Sequence, residues 1–340
     1  MERQAALDLL DFINQSPTNY HAILSVKQRL QAEGFKQLFS GEAWHIEHGG
    51  KYFVTKNHSS LYAFIPGNGN LAGEGFKLIC AHSDSPTFRV KPHAEMPVEG
   101  KYLKLNTEVY GGPIMYTWFD RPLSMAGRVL VKSDRPLKPA VMFVNFDRPI
   151  LEIPHLAIHF NRTINEQGNP LSRQKDMLPV LSVINESFEK EGFLLKLVAA
   201  EMGIAAEDIL DFDLTLYEYG KGTLFGLNNE FISSGRLDDL AMVHAGMTAL
   251  LDSKPCNKTR VLAVFDNEEV GSGTKQGAAS PILRTILERI AFSQGGNAED
   301  LYRAIHNSFM ISADMHTPCI RIILKSMILQ IVRSSMGGPL

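Results

Sequence analysis

The 340-residue chain has little cysteine, no strong charge of one sign and no long apolar run, and each shortage removes a class of function. Its three cysteines, Cys80, Cys256 and Cys319, are far apart and form no Cys-x-x-Cys pair. That argues against a disulfide framework or a cysteine-rich zinc knuckle and fits a reducing compartment. A formal charge of -3, from 34 basic and 37 acidic residues, gives no electrostatic reason to expect nucleic acid or anionic membrane as a partner. The opening Met1-Glu2-Arg3-Gln4 lacks the apolar core of a signal peptide. The most apolar late segment, residues 320–332, is short and broken by Arg321, Lys325 and Gln330, so it is no membrane span. No HExxH, Walker A, GxSxG or GxGxxG pattern offers a ready mechanism. The expectation is a soluble cytoplasmic protein.

What is present is ordinary globular material, 44% hydrophobic and 21% charged, enough for one large domain or two smaller ones. Residues 5–13 and 20–33 read as helices, the second closed by Gly34. Short strand-like runs follow at 44–47, 52–56, 61–65 and 76–80. From Thr87 to about Phe225 strand-like pieces dominate, punctuated by glycine and proline, with one helix expected over 189–202. This stretch reads as a mostly β insertion between two halves of an α/β domain. The expected division is 1–92 and 233–315 for the α/β halves, 93–232 for the insertion, and 316–340 as a separate tail.

The chemistry is expected where apolar strands end in acids. Val261-Leu262-Ala263-Val264-Phe265 reads as a strand buried on both faces, and it runs into Asp266-Asn267-Glu268-Glu269. Open α/β sheets collect their active sites at such carboxyl ends, and adjacent carboxylates repel unless a cation or a shared proton joins them. The strand at 76–80 leads into His82-Ser83-Asp84, whose alternation places both side chains on one face. The carboxylate can there orient an imidazole ligand. Asp238-Asp239 opens a helix, and residues 309–313 run into Asp314. Each piece alone has a bland alternative: a solvated acidic turn, a satisfied histidine, a helix cap, a loop acid. Together, several acids and one histidine suit zinc, manganese or cobalt, held as a pair sharing a bridging carboxylate.

The segments CAHSDSPTFRVKP, NFDRPILEIPHLAIHFNRTIN, SSGRLDDL, VFDNEEVGSGT and ISADM resemble the aspartyl aminopeptidase family of two-zinc metallopeptidases, in that family's order and spacing. The resemblance implies an α/β metallopeptidase domain interrupted by a β-rich dimerisation domain. It also implies assembly from dimers into dodecamers and removal of N-terminal residues, often Asp or Glu, from peptides. Carried over, His82 and Asp314 hold one zinc, Glu269 the other, and Asp238 bridges them. Glu268 is then the general base, Asp84 orients His82, and His159 reaches a neighbouring subunit's active site. Asp239 stands where the family usually has Asn, with a small effect expected.

After Met315 the resemblance stops. The family continues with an Ala-His-Ala-x-His-Pro-Asn-Tyr motif, a substrate-holding lysine and tyrosine, and a distal histidine of the second metal site. This chain reads His316-Thr317-Pro318-Cys319 instead. A one-base deletion in the coding sequence is the expectation, because codons for residues 316–336 can be chosen that re-read as a family-like continuation. The chain is therefore expected to be truncated relative to the family and impaired as an enzyme. A non-catalytic assembly subunit, or the inactive product of a damaged gene, is the rival reading.

Overall fold

The computed structural model describes residues 2–184 and 192–315; the tail 316–340, with the sequence expectations that fall on it, lies outside the described residues. Helices and strands are numbered along the chain. One six-stranded sheet contains β1 (Lys36–Gln37), β2 (Tyr52–Lys56), β3 (Ser60–Ile65), β4 (Phe76–His82), β13 (Thr259–Phe265) and β14 (Phe309–Ser312), in the order β1-β2-β3-β13-β4-β14. The second contains β5 (Thr87–Val98), β6 (Tyr102–Tyr110), β7 (Leu123–Val131), β8 (Ala140–Asn145), β9 (Val180–Val183) and β10 (Ile209–Glu218), in the order β8-β7-β10-β5-β6-β9. A hairpin of β11 (Thr223–Phe225) and β12 (Phe231–Ser233) stands apart. The helices are α1 (Glu2–Asn14), α2 (Asn19–Ala32), α3 (Leu71–Glu74), α4 (Ile164–Gln167), α5 (Phe193–Met202), α6 (Leu237–Leu251), α7 (Ile282–Ser293) and α8 (Ala298–His306).

Strand alternation makes the first sheet the middle of a sandwich. Along β13, Leu262 and Val264 point into a core shared with Phe12, Ile23, Val26, Val243 and Met247 from α1, α2 and α6. Val261, Ala263 and Phe265 point the other way, onto Ile286, Ile290 and Leu301 of α7 and α8. A strand covered on both faces needs the unbroken apolar run seen in the sequence. The second sheet has its own core, in which Phe88, Leu105, Leu123, Met125, Leu214 and Leu216 pack against Leu194 and Val198 of α5.

Two expectations need correction. Residues 44–47 form no strand; the Trp44 ring instead packs on Phe64 at 6.1 Å, with the Arg289 guanidinium 3.8 Å from its centroid. An aromatic and β-branched run imitates a strand in composition, and here it serves as a cap over the core. The helix expected from residue 189 begins among described residues at Phe193. The 92/93 division falls inside β5, which already pairs with β6 at Thr87↔Tyr110, so the chain leaves the first sheet across Ser83–Pro86. It returns through Ser234 and Gly235 to Arg236, whose φ of 57° turns it into α6.

Close strand pairing in the second sheet gives a stability prediction. A Cβ added to Gly127 in β7 would lie 2.1 Å from the Asp213 carbonyl oxygen of β10. Backbone atoms cannot yield as a flexible side-chain end can. Gly127→Ala should therefore lower unfolding free energy by about 2–3 kcal/mol, read as a shifted denaturant midpoint.

Candidate metal centre

Strands β14, β4 and β13 lie side by side and parallel, with Phe265 in register with His82 and Ser312 with Cys80. Their carboxyl ends therefore finish at one level. That register delivers His82 from β4, Glu268 and Glu269 from the turn after β13, and Asp314 from just beyond β14. Helix α6 packs on β4 and presents Asp238 and Asp239 from its first turn, joined by a cis peptide.

The convergence is tight around one nitrogen. His82 Nε2 lies 3.3 Å from Asp238 Oδ1, 3.8 Å from Asp314 Oδ1, 3.9 Å from Glu268 Oε2 and 4.0 Å from Asp239 Oδ2. Its other nitrogen, Nδ1, faces Asp84, 3.1 Å from the carbonyl and 3.4 Å from Oδ1. The ring is thus fixed with Nε2 toward the acids. Asp84 is buried and held in turn: it accepts from Tyr110 Oη at 2.6 Å and from the backbone N–H groups of Glu268 and Glu269 at 3.1 and 3.2 Å. Asn267 donates to Tyr110 Oη at 2.8 Å and ties the acidic turn to the second sheet.

One ligand atom each from His82, Asp238, Asp239 and Asp314 fall within 4.8 Å of one another. Imidazole nitrogen with carboxylate oxygens is a donor set that suits a divalent transition metal. Asp239 is fully buried; Oδ2 accepts from the His82 backbone N–H at 3.0 Å, while Oδ1 has no hydrogen-bond partner among the described residues. A buried carboxylate oxygen left bare is costly unless a cation or proton satisfies it. Glu269 is outside the four-residue group and lines the adjacent cavity of about 950 Å³. Its Cβ would sit 3.1 Å from a Cβ at Gly111, whose φ of 70° also favours glycine. His159 is exposed on the turn Ile158–Phe160 and does not line that cavity.

Burial, with mutual repulsion second, raises the proton affinities of Asp239 and Glu269. Burial pushes Asp239 up to about 7, with Asp314 and Asp238 adding to it. Burial also pushes Glu269 up to about 7, helped by the charges of Asp238, Asp84 and Glu268 against that of His82. Burial alone would lower His82, but its bond to Asp84 and the charges of Asp239, Asp84 and Glu268 raise it to about 9. All three groups bind protons more strongly folded than unfolded. The carboxylates' contribution is lost as pH rises toward 7, and that of His82, complete below 6.5, is lost as pH rises through 9. The melting temperature of the chelated chain should fall between pH 5 and 9, and zinc should flatten that slope by replacing the protons.

Several of these features were not evident from residue types. Asp239 enters the cluster itself, although its place beside Asp238 at a helix start looked minor. Tyr110 and Asn267 were missed as supports. The one available signal was Tyr110 at a strand end just before Gly111-Gly112.

Among the described residues no helix is long and apolar enough to cross a membrane. Residues 12–319 match the family described as aminopeptidase I zinc metalloprotease (M18). A probable M18 family aminopeptidase 2 of Clostridium acetobutylicum is 54% identical over 313 residues, covering 92% of this chain and 72% of that protein. The structure of the Ape4 and Nbr1 complex superposes with a TM-score of 0.85 at 38% identity, covering 92% of this chain and 64% of that one. The mApe1 dodecamer of S. cerevisiae superposes with a TM-score of 0.78 at 29% identity, over 92% of this chain and 71% of that one. The chain thus spans about two thirds to three quarters of the length of these relatives, and it belongs to the M18 family of zinc metallo-aminopeptidases.

Proposed function

We propose that this chain is built to release N-terminal residues, Asp and Glu preferred, from peptides with two zinc ions. The observation that carries the proposal is His82 Nε2 facing four carboxylates, drawn from three separate segments, within 4.0 Å. In this reading His82 and Asp314 would hold one ion and Glu269 the other, with Asp238 a ligand shared by both. Bound zinc would acidify water and polarise the scissile carbonyl. Asp84 keeps Nδ1 of His82 occupied and so presents Nε2. The half-exposed Glu268 carboxylate takes a proton from the attacking water and returns it to the leaving amine. The surrounding negative charge favours the free ammonium of a peptide's first residue.

The second ion would also use the distal histidine implied by the family resemblance. Assembly is dimer-based, toward a dodecamer, with His159 reaching a neighbour's site; the exposed Leu156, Ile158 and Phe160 beside it support a contact there. The place of action is the cytoplasm, in keeping with free Cys80 and Cys256.

Metal analysis with an N-terminal Asp substrate tests the reading. Zinc uptake with zinc-dependent release of N-terminal Asp is the expected result. Zinc uptake without any release of N-terminal residues would overturn the reading, and no zinc at all would favour a non-catalytic assembly subunit.

A further inference from the structure

The cavity beside the acids is lined at its other side by two guanidinium groups that share a single carboxylate. Asp213 of β10 takes Arg89 Nη2 on Oδ1 at 2.6 Å and Arg128 Nη2 on Oδ2 at 3.5 Å, and Tyr20 Oη also donates to Oδ2. Two guanidinium groups thus share the Asp213 carboxylate, while Glu108, in register with Arg89 on the neighbouring strand, adds its charge to the field at Arg89. Arg128 is otherwise occupied, with Nη1 on Asn57 at 3.2 Å and its guanidinium carbon 4.7 Å from the Tyr20 ring centroid. Arg89 differs: its side chain is 38% exposed, and Nε and Nη1 have no protein hydrogen-bond partner among the described residues. It points donors into a cavity that Asp84, Asp238 and Glu269 also line.

Placement links this wall to the metal centre. The Arg89 guanidinium carbon lies 5.7 Å from the Tyr110 ring centroid, and Tyr110 Oη donates to Asp84 at 2.6 Å. One aromatic side chain thus separates Arg89 from the residue that orients His82. The cleft has carboxylates at one end and, at the other, the guanidinium of Arg89, which is paired with Asp213 through Nη2. A short peptide bound with its ammonium toward the acids would bring a carboxylate toward Arg89, since extended peptide advances about 3.3 Å per residue.

We propose that Arg89, seconded by Arg128, is a specificity-determining residue that receives a carboxylate of the peptide substrate. Asp213 holds both guanidinium groups in place and competes with that carboxylate for them. The inference rests on reading the cleft as a peptide site. The carboxylate has two sources, the acidic side chain of the N-terminal residue or the C-terminus of a short peptide. Both present the planar pair of oxygens that a guanidinium grips through two N–H groups.

The test is titration calorimetry on the chelated full chain, which leaves its ligands uncut. The probes are aspartyl-alaninamide, alanyl-alanine and alanyl-alaninamide, all carrying the same free ammonium. At least one carboxylate probe should bind roughly 10-fold more tightly than the neutral one. Preference for aspartyl-alaninamide assigns the subsite to the side chain; preference for alanyl-alanine assigns it to the C-terminus. Arg89→Gln should abolish the preference and leave alanyl-alaninamide unaffected. Asp213→Asn should strengthen it by freeing both guanidinium groups, a gain that no purely structural role would give. Should Arg89→Gln fail to fold, Arg89→Lys serves, with the preference reduced but present. Equal binding of all three probes, or a preference that survives Arg89→Gln, overturns the proposal. Failure of the aminopeptidase reading would appear separately, as absent zinc uptake with the carboxylate preference intact.

Discussion

His82→Ala should abolish high-affinity zinc binding, lowering affinity by more than about 100-fold. Removing an orienting partner of a ligating histidine already costs about 10–100-fold, and here the ligand itself goes. The loss should exceed that from any single acid, because His82 is the one nitrogen donor in the four-residue group. Asp84→Asn makes the graded comparison. It keeps the shape but removes the charge facing Nδ1 and one of the two oxygens that accept the Glu268 and Glu269 backbone N–H groups, so zinc affinity should fall by about 10–100-fold. Competition with a chromogenic chelator reads both variants. A His82→Ala chain that still takes up zinc with unchanged affinity would remove the metal centre from this account.

Glu268→Gln should produce the opposite pattern, with zinc retained and hydrolysis lost by about 100- to 10,000-fold relative to the parent chain. Its backbone N–H anchors to Asp84, so the turn keeps its shape when only the side-chain terminus changes. The Glu268 carboxylate is half exposed and 3.9 Å from His82 Nε2, near enough to handle a proton there. Release of N-terminal Asp at saturating zinc, measured beside metal content, separates this variant from His82→Ala. Loss of zinc along with activity would make Glu268 a ligand rather than a base.

Legibility from the sequence followed the range of the interactions. The apolar run of β13 announced a strand buried on both faces, and strands ending in acids announced the site, because both facts are written in neighbouring residues. The order of the second sheet was unreadable: β10 lies between β7 and β5, a pairing of segments more than 70 residues apart that no local pattern encodes. Asp239 illustrates the same limit at one residue. A carboxylate at a helix start has an ordinary role as a cap, and only the packing of α6 on β4 turns it inward beside His82.

The parallel alignment of β4, β13 and β14 has an engineering corollary. Inserting a single residue within the body of β13 would rotate every following side chain to the opposite face, exchanging the two cores and displacing Glu268 from His82 together. The junctions at Ser83–Pro86 and Ser234–Arg236 already admit an entire folded sheet without disturbing that alignment. Domain grafts and fluorescent tags therefore belong in connections between elements that carry neither Asp84 nor Asp238, whereas a one-codon scar inside a central strand should silence the molecule.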